Sequence, residues 1–366
     1  MWARGGANDG RTRRVTSRRA VLIGGLGLAA SHTAAWRWMS SAAVAEPAPG
    51  PCAPTGDGYA ADVTRRLGMV LVDPRFAQVK DPSITFDGRT WHLFASAWRS
   101  LHDDVVIVHG SARQPQGPYV SPEVLDLPVT GPQVAAPGVL WSDGSFHMFV
   151  QTRFSGAGGM IEHLASSDGT NFEHVDRALD SDVAIGEGCL YDAQPAIAGD
   201  ELLLTYAATN VPGQPDLHLA RSRSGTWDGP WERLGPILRQ SEVSFHNQPA
   251  CGHYEWGLEG PQLVDLRDGR LLLAAVCFLA DQPHGRRQRL FLALADGTRG
   301  PYRPLGEALV PVSGTWEAGE NGHAAVTVVD NELVLVYQAR RGAGRAWSVG
   351  AAVMPIPDGH GALDPQ

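Results

Sequence analysis

The amino-acid sequence predicts an all-β fold, namely a five-bladed β-propeller with a funnel at its centre. Three observations lead to this prediction. A strand–turn–strand phrase returns five times along the chain, Asp-Gly pairs recur between apolar runs, and no long segment shows the 3.6-residue period of an amphipathic helix. Repeats of this size that contain pairs of strands are typical of propellers and other closed β arrays.

Each copy of the phrase consists of a short apolar strand, a turn and a second apolar strand. The copies span residues 81–94, 136–149, 192–204, 259–273 and 323–336. The first four begin roughly 60 residues apart, which is enough chain for one four-stranded blade. The residue at the head differs from copy to copy, and the five heads are Asp81, Ala136, Asp192, Glu259 and His323.

Turn residues and aromatic residues mark the boundaries of the predicted strands. Asp-Gly favours the left-handed backbone of a two-residue hairpin, and it occurs at Asp87-Gly88, Asp143-Gly144 and Asp268-Gly269. A second phrase, Gly-Pro followed by an aromatic residue, lies in the outer part of several blades. Its aromatic side chains are predicted to pack between blades, and the copies are Gly117-Pro118-Tyr119, Gly229-Pro230-Trp231 and Gly300-Pro301-Tyr302.

Composition and charge limit the class of protein. The chain has 366 residues, of which 43% are hydrophobic and 19% are charged, as in ordinary globular proteins. Its net charge of -9 argues against a nucleic-acid surface, which needs a basic stripe. We therefore expect a single folded domain over residues 67–366 that acts as a monomer on a neutral ligand.

The first 45 residues have the features of an export signal. A twin-arginine pair, Arg18-Arg19, precedes an apolar run over residues 20–30, and Ala43-Val44-Ala45 fits an A-x-A cleavage site. The apolar run is too short to span a bilayer, so residues 1–45 are interpreted as a cleaved twin-arginine signal. The protein is then secreted, with no membrane attachment after cleavage, and residues 46–66 form a Pro/Gly-rich lead-in.

Four cysteines follow the signal, namely Cys52, Cys189, Cys251 and Cys277. Export permits disulfides, and four cysteines allow three full pairings, which the sequence does not distinguish. Cys277 lies in an apolar run and is predicted to be a buried free thiol.

The heads of the repeats carry the functional prediction. The innermost strand of each blade lines the funnel of a propeller, so Asp81, Asp192 and Glu259 are predicted to meet at one mouth. Three acids on a concave surface suit divalent cation binding or glycoside hydrolysis. Inverting hydrolysis needs a carboxylate base, a carboxylic acid and an influence that keeps that acid protonated. Asp81 as base, Glu259 as acid and Asp192 as pKa modulator meet these needs.

Each head also has a simpler interpretation. Asp81 before a proline is typical of a turn cap, and Asp192 is compatible with a turn or a salt bridge. A lone histidine such as His323 is often a buried group with ordinary hydrogen bonds. Neighbouring polar and aromatic side chains are candidates for binding sugar hydroxyls or stacking on a sugar ring, namely Trp98, Gln194, His246, Trp256, Asn321 and His323. Arg286, Arg287 and Arg289 form a basic patch that is typical of a solvated hairpin.

The order Asp-Pro-Ser, Asp, Glu-Gly-Pro and a late Gly-His resembles glycoside hydrolase family 43 and its five-bladed arabinofuranosidase and xylosidase relatives. The resemblance implies that Asp81 is the base, Asp192 the modulator and Glu259 the acid. It also implies that His323 lies near a central ion, often calcium, although the chemistry itself requires no cofactor. In the family the modulator directly precedes its proline, whereas Gln194 holds that place here. Ala136 offers no acid, so the chain is interpreted as a divergent or separate family.

Four functions remain open at this stage. The first is a secreted glycosidase that acts on a plant or microbial oligo- or polysaccharide, with pentose units such as arabinofuranosides or xylosides. The second is a non-catalytic glycan-binding propeller. The third is a phosphorolytic enzyme, which needs a cationic group for phosphate, and the patch at 286–289 is its candidate. The fourth is a scaffold for a protein partner, which leaves the three acids unexplained.

Overall fold

The computed structural model describes residues 64–100, 104–129, 134–153, 159–209, 215–243, 257–281, 285–342 and 344–357. Within these residues, twenty strands form five four-stranded antiparallel sheets. The innermost strands of the five sheets contact one another in a ring. This arrangement confirms the predicted five-bladed propeller. No helix in the described part of the chain has the length and apolar character needed to cross a bilayer.

The strands are short and alternate regularly with turns. In chain order they are β1 (Arg65–Leu71), β2 (Gln78–Phe86), β3 (Trp91–Trp98), β4 (Val106–Ala112), β5 (Val120–Val124), β6 (Ala135–Ser142), β7 (Ser145–Thr152), β8 (Met160–Ser166), β9 (Glu173–Asp180), β10 (Cys189–Ala198), β11 (Glu201–Thr209), β12 (Pro215–Ser222), β13 (Trp231–Leu238), β14 (Leu258–Asp265), β15 (Leu271–Asp281), β16 (Gly285–Ala295), β17 (Arg303–Glu307), β18 (Glu320–Val329), β19 (Glu332–Arg340) and β20 (Ser348–Pro355). Two short 3-10 helices, Val183–Ile185 and Gln240–Glu242, lie between strands.

The two ends of the described chain close the ring. Blades one to four each use four consecutive strands, which are β2–β5, β6–β9, β10–β13 and β14–β17. Blade five takes β18, β19 and β20 from the end of the chain and β1 from its beginning, so Arg65 pairs with Val353 and Leu71 with Val349. Because β1 begins at Arg65, the propeller starts two residues inside the segment that the sequence assigns to the lead-in.

Apolar side chains fill the joints between blades. Five buried clusters lie one at each joint, because each sheet buries both of its faces against its neighbours. Tyr119 packs at the joint of blades five and one, Tyr302 at that of three and four, and Trp231 at that of two and three. The prediction that the aromatic residue of the Gly-Pro phrase packs between blades is therefore confirmed.

All three Asp-Gly pairs lie in the predicted hairpins, which join β2 to β3, β6 to β7 and β14 to β15, and one of them forms a two-residue turn. Asp143 and Gly144 join β6 to β7 with φ values of 53° and 79°, so both turn residues are left-handed. The two-residue turn is wrong for the other two pairs, which lie in longer loops: Gly88 and Gly269 have positive φ values, but Asp87 and Asp268 do not. In the loop after β2, Asp87 instead accepts hydrogen bonds from the backbone N–H groups of Arg89 and Thr90.

The predicted state of Cys277 is also confirmed. Cys277 and Cys189 are both buried and take part in no disulfide, and the Cys277 thiol lies 3.6 Å from the carbonyl oxygen of Arg289. Cys52 and Cys251 lie outside the described residues.

A buried ionic clamp joins the loop before β10 to the rest of blade three. Glu187 Oε1 accepts a hydrogen bond from the Tyr206 hydroxyl at 2.8 Å and faces His218 Nδ1 at 3.1 Å, and Glu187 Oε2 accepts one from Arg233 Nε at 2.8 Å. Burial raises the pKa of Glu187, but His218, Tyr206 and Arg233 outweigh burial and lower it. Blade five repeats the clamp with Glu317, Tyr337 and Arg66.

We expect Glu187→Gln to lower the free energy of unfolding by about 3 kcal/mol, because removing one partner leaves a buried charge uncompensated. Urea denaturation measures this change. The matched control is Glu201→Gln, since Glu201 pairs with Arg221 at 2.9 Å at the surface and exposed ion pairs contribute little to stability. Equal losses in the two variants would contradict the assignment of Glu187 to a buried clamp.

Two histidine pairs occupy equivalent positions in the first two blades. The pairs are His92–His109, with ring nitrogens 2.8 Å apart, and His147–His163, with ring nitrogens 3.1 Å apart. Burial and then the neighbouring His92 lower the pKa of His109 to about 4. Burial and then His147 lower the pKa of His163 to about 3. Both rings are therefore neutral in the folded protein near pH 6.

These pairs predict a stability that falls on acidification. An unfolded histidine has a pKa of about 6.5, so between about pH 6.5 and pH 4 the unfolded state binds more protons than the folded state. The free energy of unfolding then decreases as the pH falls, by up to about 1.4 kcal/mol per pH unit for each histidine. Urea unfolding at several pH values measures this slope. His163→Gln is expected to make the slope shallower, and an unchanged slope would contradict the assignment.

Candidate active site

The five innermost strands share one irregularity, a β-bulge at the same level of the central channel. The pairing register of each innermost strand with its neighbour shifts at this point. A bulge inserts one extra residue, bends the strand and re-aims the side chain that it carries. The bulged residues are Asp81-Pro82 in blade one, Ala136-Pro137 in blade two, Asp192-Ala193 in blade three, Gly260-Pro261 in blade four and His323 in blade five.

Backbone conformation identifies the equivalent residue in four of these bulges. Asp81, Ala136, Asp192 and Gly260 have φ values of 53°, 51°, 53° and 56°. The left-handed region suits glycine and, among other residues, tolerates aspartate better than most. Asp192 is thus the structural counterpart of Asp81, and the shift relative to the proline does not displace it. The proline of blade three, Pro195, therefore lies two positions further along its strand than the prolines of blades one and two.

Three carboxylates from three blades converge on the His323 ring. Asp81 Oδ1 lies 3.5 Å from Nδ1 of His323, while Asp192 Oδ2 and Glu259 Oε2 each lie 3.5 Å from Nε2. Both ring nitrogens therefore face carboxylate oxygens, which matches an imidazolium that carries a hydrogen on each nitrogen. Burial alone lowers the pKa of His323, but Asp192, Glu259 and Asp81 outweigh it and raise this pKa to about 9.

The charges of the cluster leave one negative charge in excess when all the acids are ionised. His323 and Lys80, whose Nζ lies 3.8 Å from Asp81 Oδ1, offset two of the three carboxylates. Burial raises the pKa of Asp192; His323 opposes this rise, and Glu259 and Asp81 reinforce it. A proton on Asp192, whose pKa is raised, therefore neutralises the cluster.

Glu259 occupies a different place from the two aspartates. It directly precedes its bulge, and its side chain is 16% exposed, against 9% for Asp81 and 8% for Asp192. The following residue is glycine because His323 packs against it: a Cβ on Gly260 would lie 2.9 Å from the ring. The Gly260 N–H donates to Asp192 Oδ2 at 3.1 Å. Of the three carboxylates, that of Glu259 is the most accessible from the channel.

The resemblance implies a calcium ion, for which the carboxylates and the imidazole of this cluster would be the ligands. Asp192, Glu259 and His323 each offer one ligand atom, and these atoms lie within 4.8 Å of one another. Calcium prefers six to eight oxygen ligands, whereas this set contains an imidazole whose two nitrogens both face carboxylates. With its pKa raised, His323 donates protons and does not offer an electron pair to a metal. These residues do not fit calcium ligated by His323.

Trp98 and Gln194, which were predicted to bind substrate, lie on strands of blades one and three. Trp98 is the last residue of β3, pairs with Gln78 at the start of β2 and is 4% exposed. Gln194 follows the blade-three bulge and accepts a hydrogen bond from the Ser83 hydroxyl at 3.4 Å, one level below the carboxylates. Their role in sugar binding stays a prediction. His246 and Trp256 lie outside the described residues.

The prediction for Asn321 is wrong. Its side chain is fully buried, accepts a hydrogen bond from the Leu290 N–H at 2.9 Å and donates one to the Leu309 carbonyl at 2.8 Å. Both ends of the amide therefore bind the backbone of blade four. Asn321 joins blades four and five and has no role at the funnel surface. Proximity to His323 in sequence is misleading here, because residues two apart share a face only on a regular strand and the bulge at His323 interrupts that alternation.

Sequence reasoning missed a group of charged and aromatic side chains next to Asp81. Lys80 lies over the Trp347 ring at 5.6 Å, Arg340 lies over the same ring at 4.5 Å, and Arg340 binds Glu320 at 2.7 Å. Trp347 thus holds the Lys80 ammonium beside the Asp81 carboxylate. Lys80 stands directly before Asp81 in sequence, which is the one signal that pointed to it.

The arginines of the basic patch at 286–289 are not all solvated. Arg289 is buried, and its guanidinium binds the carbonyl oxygens of Gln288 and Gly319 and lies 3.7 Å from Glu307. Its donors are occupied by the fold, so the predicted solvated position is wrong for Arg289.

Comparison with known proteins supports the fold. No protein-family model matches the sequence, and no curated protein does. Among solved structures, an α-L-arabinofuranosidase from Podospora anserina, solved with cellotriose, has 15% sequence identity and a TM-score of 0.57, and the match covers 81% of this chain and 99% of that chain. An exo-1,5-α-L-arabinanase from a bovine ruminal metagenomic library has 12% identity and a TM-score of 0.59, over 79% of this chain and 97% of that chain. A thermostable family-43 glycoside hydrolase has 18% identity and a TM-score of 0.54, over 84% and 97%. The chain shares the fold of these five-bladed propeller enzymes.

Proposed function

We propose that this protein is a secreted glycoside hydrolase that cleaves a pentose-containing oligo- or polysaccharide with inversion at the anomeric carbon. The observation that carries the proposal is the convergence of Asp81, Asp192 and Glu259 around His323 at the bulges of the central channel. Acidic side chains are costly to bury together. A fold that brings three of them to a concave surface uses them for chemistry or binding.

The two sides of the His323 ring separate the roles. Asp81 faces Nδ1, whereas Asp192 and Glu259 face Nε2. Inverting glycosidases hold base and acid roughly 6.5–9.5 Å apart, so that a water molecule fits between the base and the sugar. Acids on opposite sides of one imidazole suit such a separation better than the shorter one of retaining enzymes.

The proposed reaction is a single displacement. The Asp81 carboxylate, stabilised by Lys80 and His323, removes a proton from a water molecule as that water attacks the anomeric carbon. The bond from this carbon to the leaving oxygen breaks, and Glu259 delivers its proton to that oxygen. Asp192, which faces the same nitrogen of His323 as Glu259 does, acts as the pKa modulator of this acid. The products are the sugar with inverted configuration and a free hydroxyl on the leaving group.

The substrate class rests on the fold relatives. The similar structures are named as α-L-arabinofuranosidases and arabinanases, so arabinofuranosides, and after them xylosides, are the sugars we propose. The twin-arginine signal predicted for residues 1–45 fits an enzyme that meets its polysaccharide outside the cell. Phosphorolysis is a weaker alternative, because the Arg289 guanidinium already binds Gln288, Gly319 and Glu307.

A substrate panel tests the proposed function. Aryl α-L-arabinofuranosides, aryl β-D-xylosides, arabinan and arabinoxylan are incubated with the protein and with a variant that combines Asp81→Ala and Glu259→Gln. We expect release of a pentose from at least one substrate by the protein alone. A non-catalytic glycan-binding propeller is the second candidate, and no turnover together with equal glycan affinity of both forms would establish it instead.

A further inference from the structure

Two buried glutamines hold the backbone of the two catalytic aspartates from neighbouring blades. The Asp81 N–H donates to Gln338 Oε1 at 2.8 Å, and the Asp192 N–H donates to Gln151 Oε1 at 3.0 Å. Gln338 belongs to β19 of blade five, and Gln151 belongs to β7 of blade two. Each glutamine therefore crosses a blade joint to reach the bulge of the next blade.

The glutamines occupy the same position in their own blades. Gln338 pairs with Gly322 and Gln151 with Ala135, which are the last regularly paired residues before the bulges of blades five and two. Blade one repeats the arrangement with Ser96, whose hydroxyl accepts the Ala136 N–H at 2.9 Å. The bond is thus a feature of the fold. It is made by glutamine at the two bulges that carry an acid and by serine at the bulge that carries alanine.

A third glutamine fixes the orientation of the Gln338 amide. Gln338 Nε2 donates to Gln288 Oε1 at 2.8 Å, which leaves Gln338 Oε1 directed at the Asp81 N–H. Gln288 Oε1 in turn occupies the space beside Gly322, where a Cβ would lie only 2.3 Å away. The glycine before His323 is therefore required by the glutamine relay, which runs from blade four through blade five to Asp81 in blade one.

We infer that Gln338 and Gln151 are positioning residues of the proposed hydrolase, acting through Asp81 and Asp192 respectively. The inference rests on the proposed function. Asp81 and Asp192 have left-handed φ values of 53°, a conformation that is uncommon for non-glycine residues although aspartate tolerates it. The glutamine bonds enforce it from outside the bulge. Because a displacement of about 1 Å at a reacting group lowers the rate by about 100-fold, these bonds control turnover although neither glutamine touches the substrate.

The two glutamines are expected to differ in their kinetic signature. Gln338→Met removes the acceptor at similar length and disturbs the base, so kcat should fall about 10- to 100-fold on every substrate. Gln151→Met disturbs Asp192 and through it the proton of Glu259. Its loss should be larger on a natural glycan than on an aryl glycoside, whose leaving group needs little protonation. In both variants KM should change less than kcat.

Ser96→Ala is the matched control, because it removes the same kind of bond at the bulge without an acid. It is expected to retain kcat within about twofold while its thermal unfolding midpoint falls. A second pair of variants covers the case in which Gln338→Met does not fold: Gln288→Met and Gly322→Ala leave Gln338 in place but disturb its orientation, and kcat should fall in both.

Losses of kcat no greater than that of Ser96→Ala would overturn the inference and leave the hydrolase assignment intact. The inference would also be overturned if the loss of kcat depended on the leaving group to the same extent in both glutamine variants. A crystal structure of Gln338→Met gives a test that needs no activity. We expect the Asp81 carboxylate to move away from His323, and an unmoved carboxylate would refute the positioning role even if the proposed function itself failed.

Discussion

Asp81→Ala is expected to lower kcat by about 10³-fold on aryl and natural glycosides alike. A positioned general base contributes about 10²- to 10⁴-fold, and the attack of water is required whichever leaving group departs. The loss should appear in kcat more than in KM, since proton removal occurs only in the transition state. Initial rates on the substrate identified by the panel measure both constants.

Asp143→Asn provides the matched control for this prediction. Asp143 has the same left-handed φ of 53° but lies in the exposed hairpin between β6 and β7, away from the channel end that carries the bulges. It should retain full activity. NMR of the first product formed by the unaltered protein tests the single displacement, and retained anomeric configuration would exclude Asp81 as a base for water in one step.

The convergence of the acids was predictable because repeat period alone brings the heads of innermost strands together. The position of Asp192 within its bulge was not predictable. A bulge adds one residue without a sequence signature, and the proline of blade three lies two residues further from its head than the prolines of blades one and two. Asn321 was misassigned for a related reason: a residue beside His323 in sequence points into a blade joint. Local pattern fixes which strand a residue belongs to, but bulges decide which way it faces.

The sequence alone could not identify residues whose side chains bind groups of a neighbouring blade. Gln338 binds a backbone group 257 positions away, and nothing near Asp81 in sequence identifies its partner. Lys80 was adjacent to Asp81, yet its position depends on Trp347 from the last blade. The sequence therefore predicted the carboxylates and their number. Their electrostatic and hydrogen-bonding partners come from other blades, so only the closed propeller identifies them.

Glu259→Gln is expected to lower kcat by about 10²- to 10⁴-fold on natural glycans, in keeping with the loss of a general acid. The amide keeps the size of the side chain but has no proton to deliver to the leaving oxygen. A dinitrophenyl glycoside leaves as a stable anion and needs little protonation, so the loss on this substrate should be at least about tenfold smaller. This contrast distinguishes a general acid from a residue that only binds sugar.

The pH dependence provides the second half of this test. For the unaltered protein, kcat/KM should follow a bell-shaped profile whose basic limb reports loss of the proton held by the Asp192–Glu259 pair. In Glu259→Gln this proton no longer serves the reaction, so the basic limb should disappear on the dinitrophenyl substrate while the acidic limb, which reports the base, remains. Glu242→Gln serves as control, because Glu242 lies in an exposed 3-10 helix, where it accepts the Arg239 N–H. A basic limb that persists unchanged in Glu259→Gln would assign the acid to another group and reduce Glu259 to a ligand of the sugar.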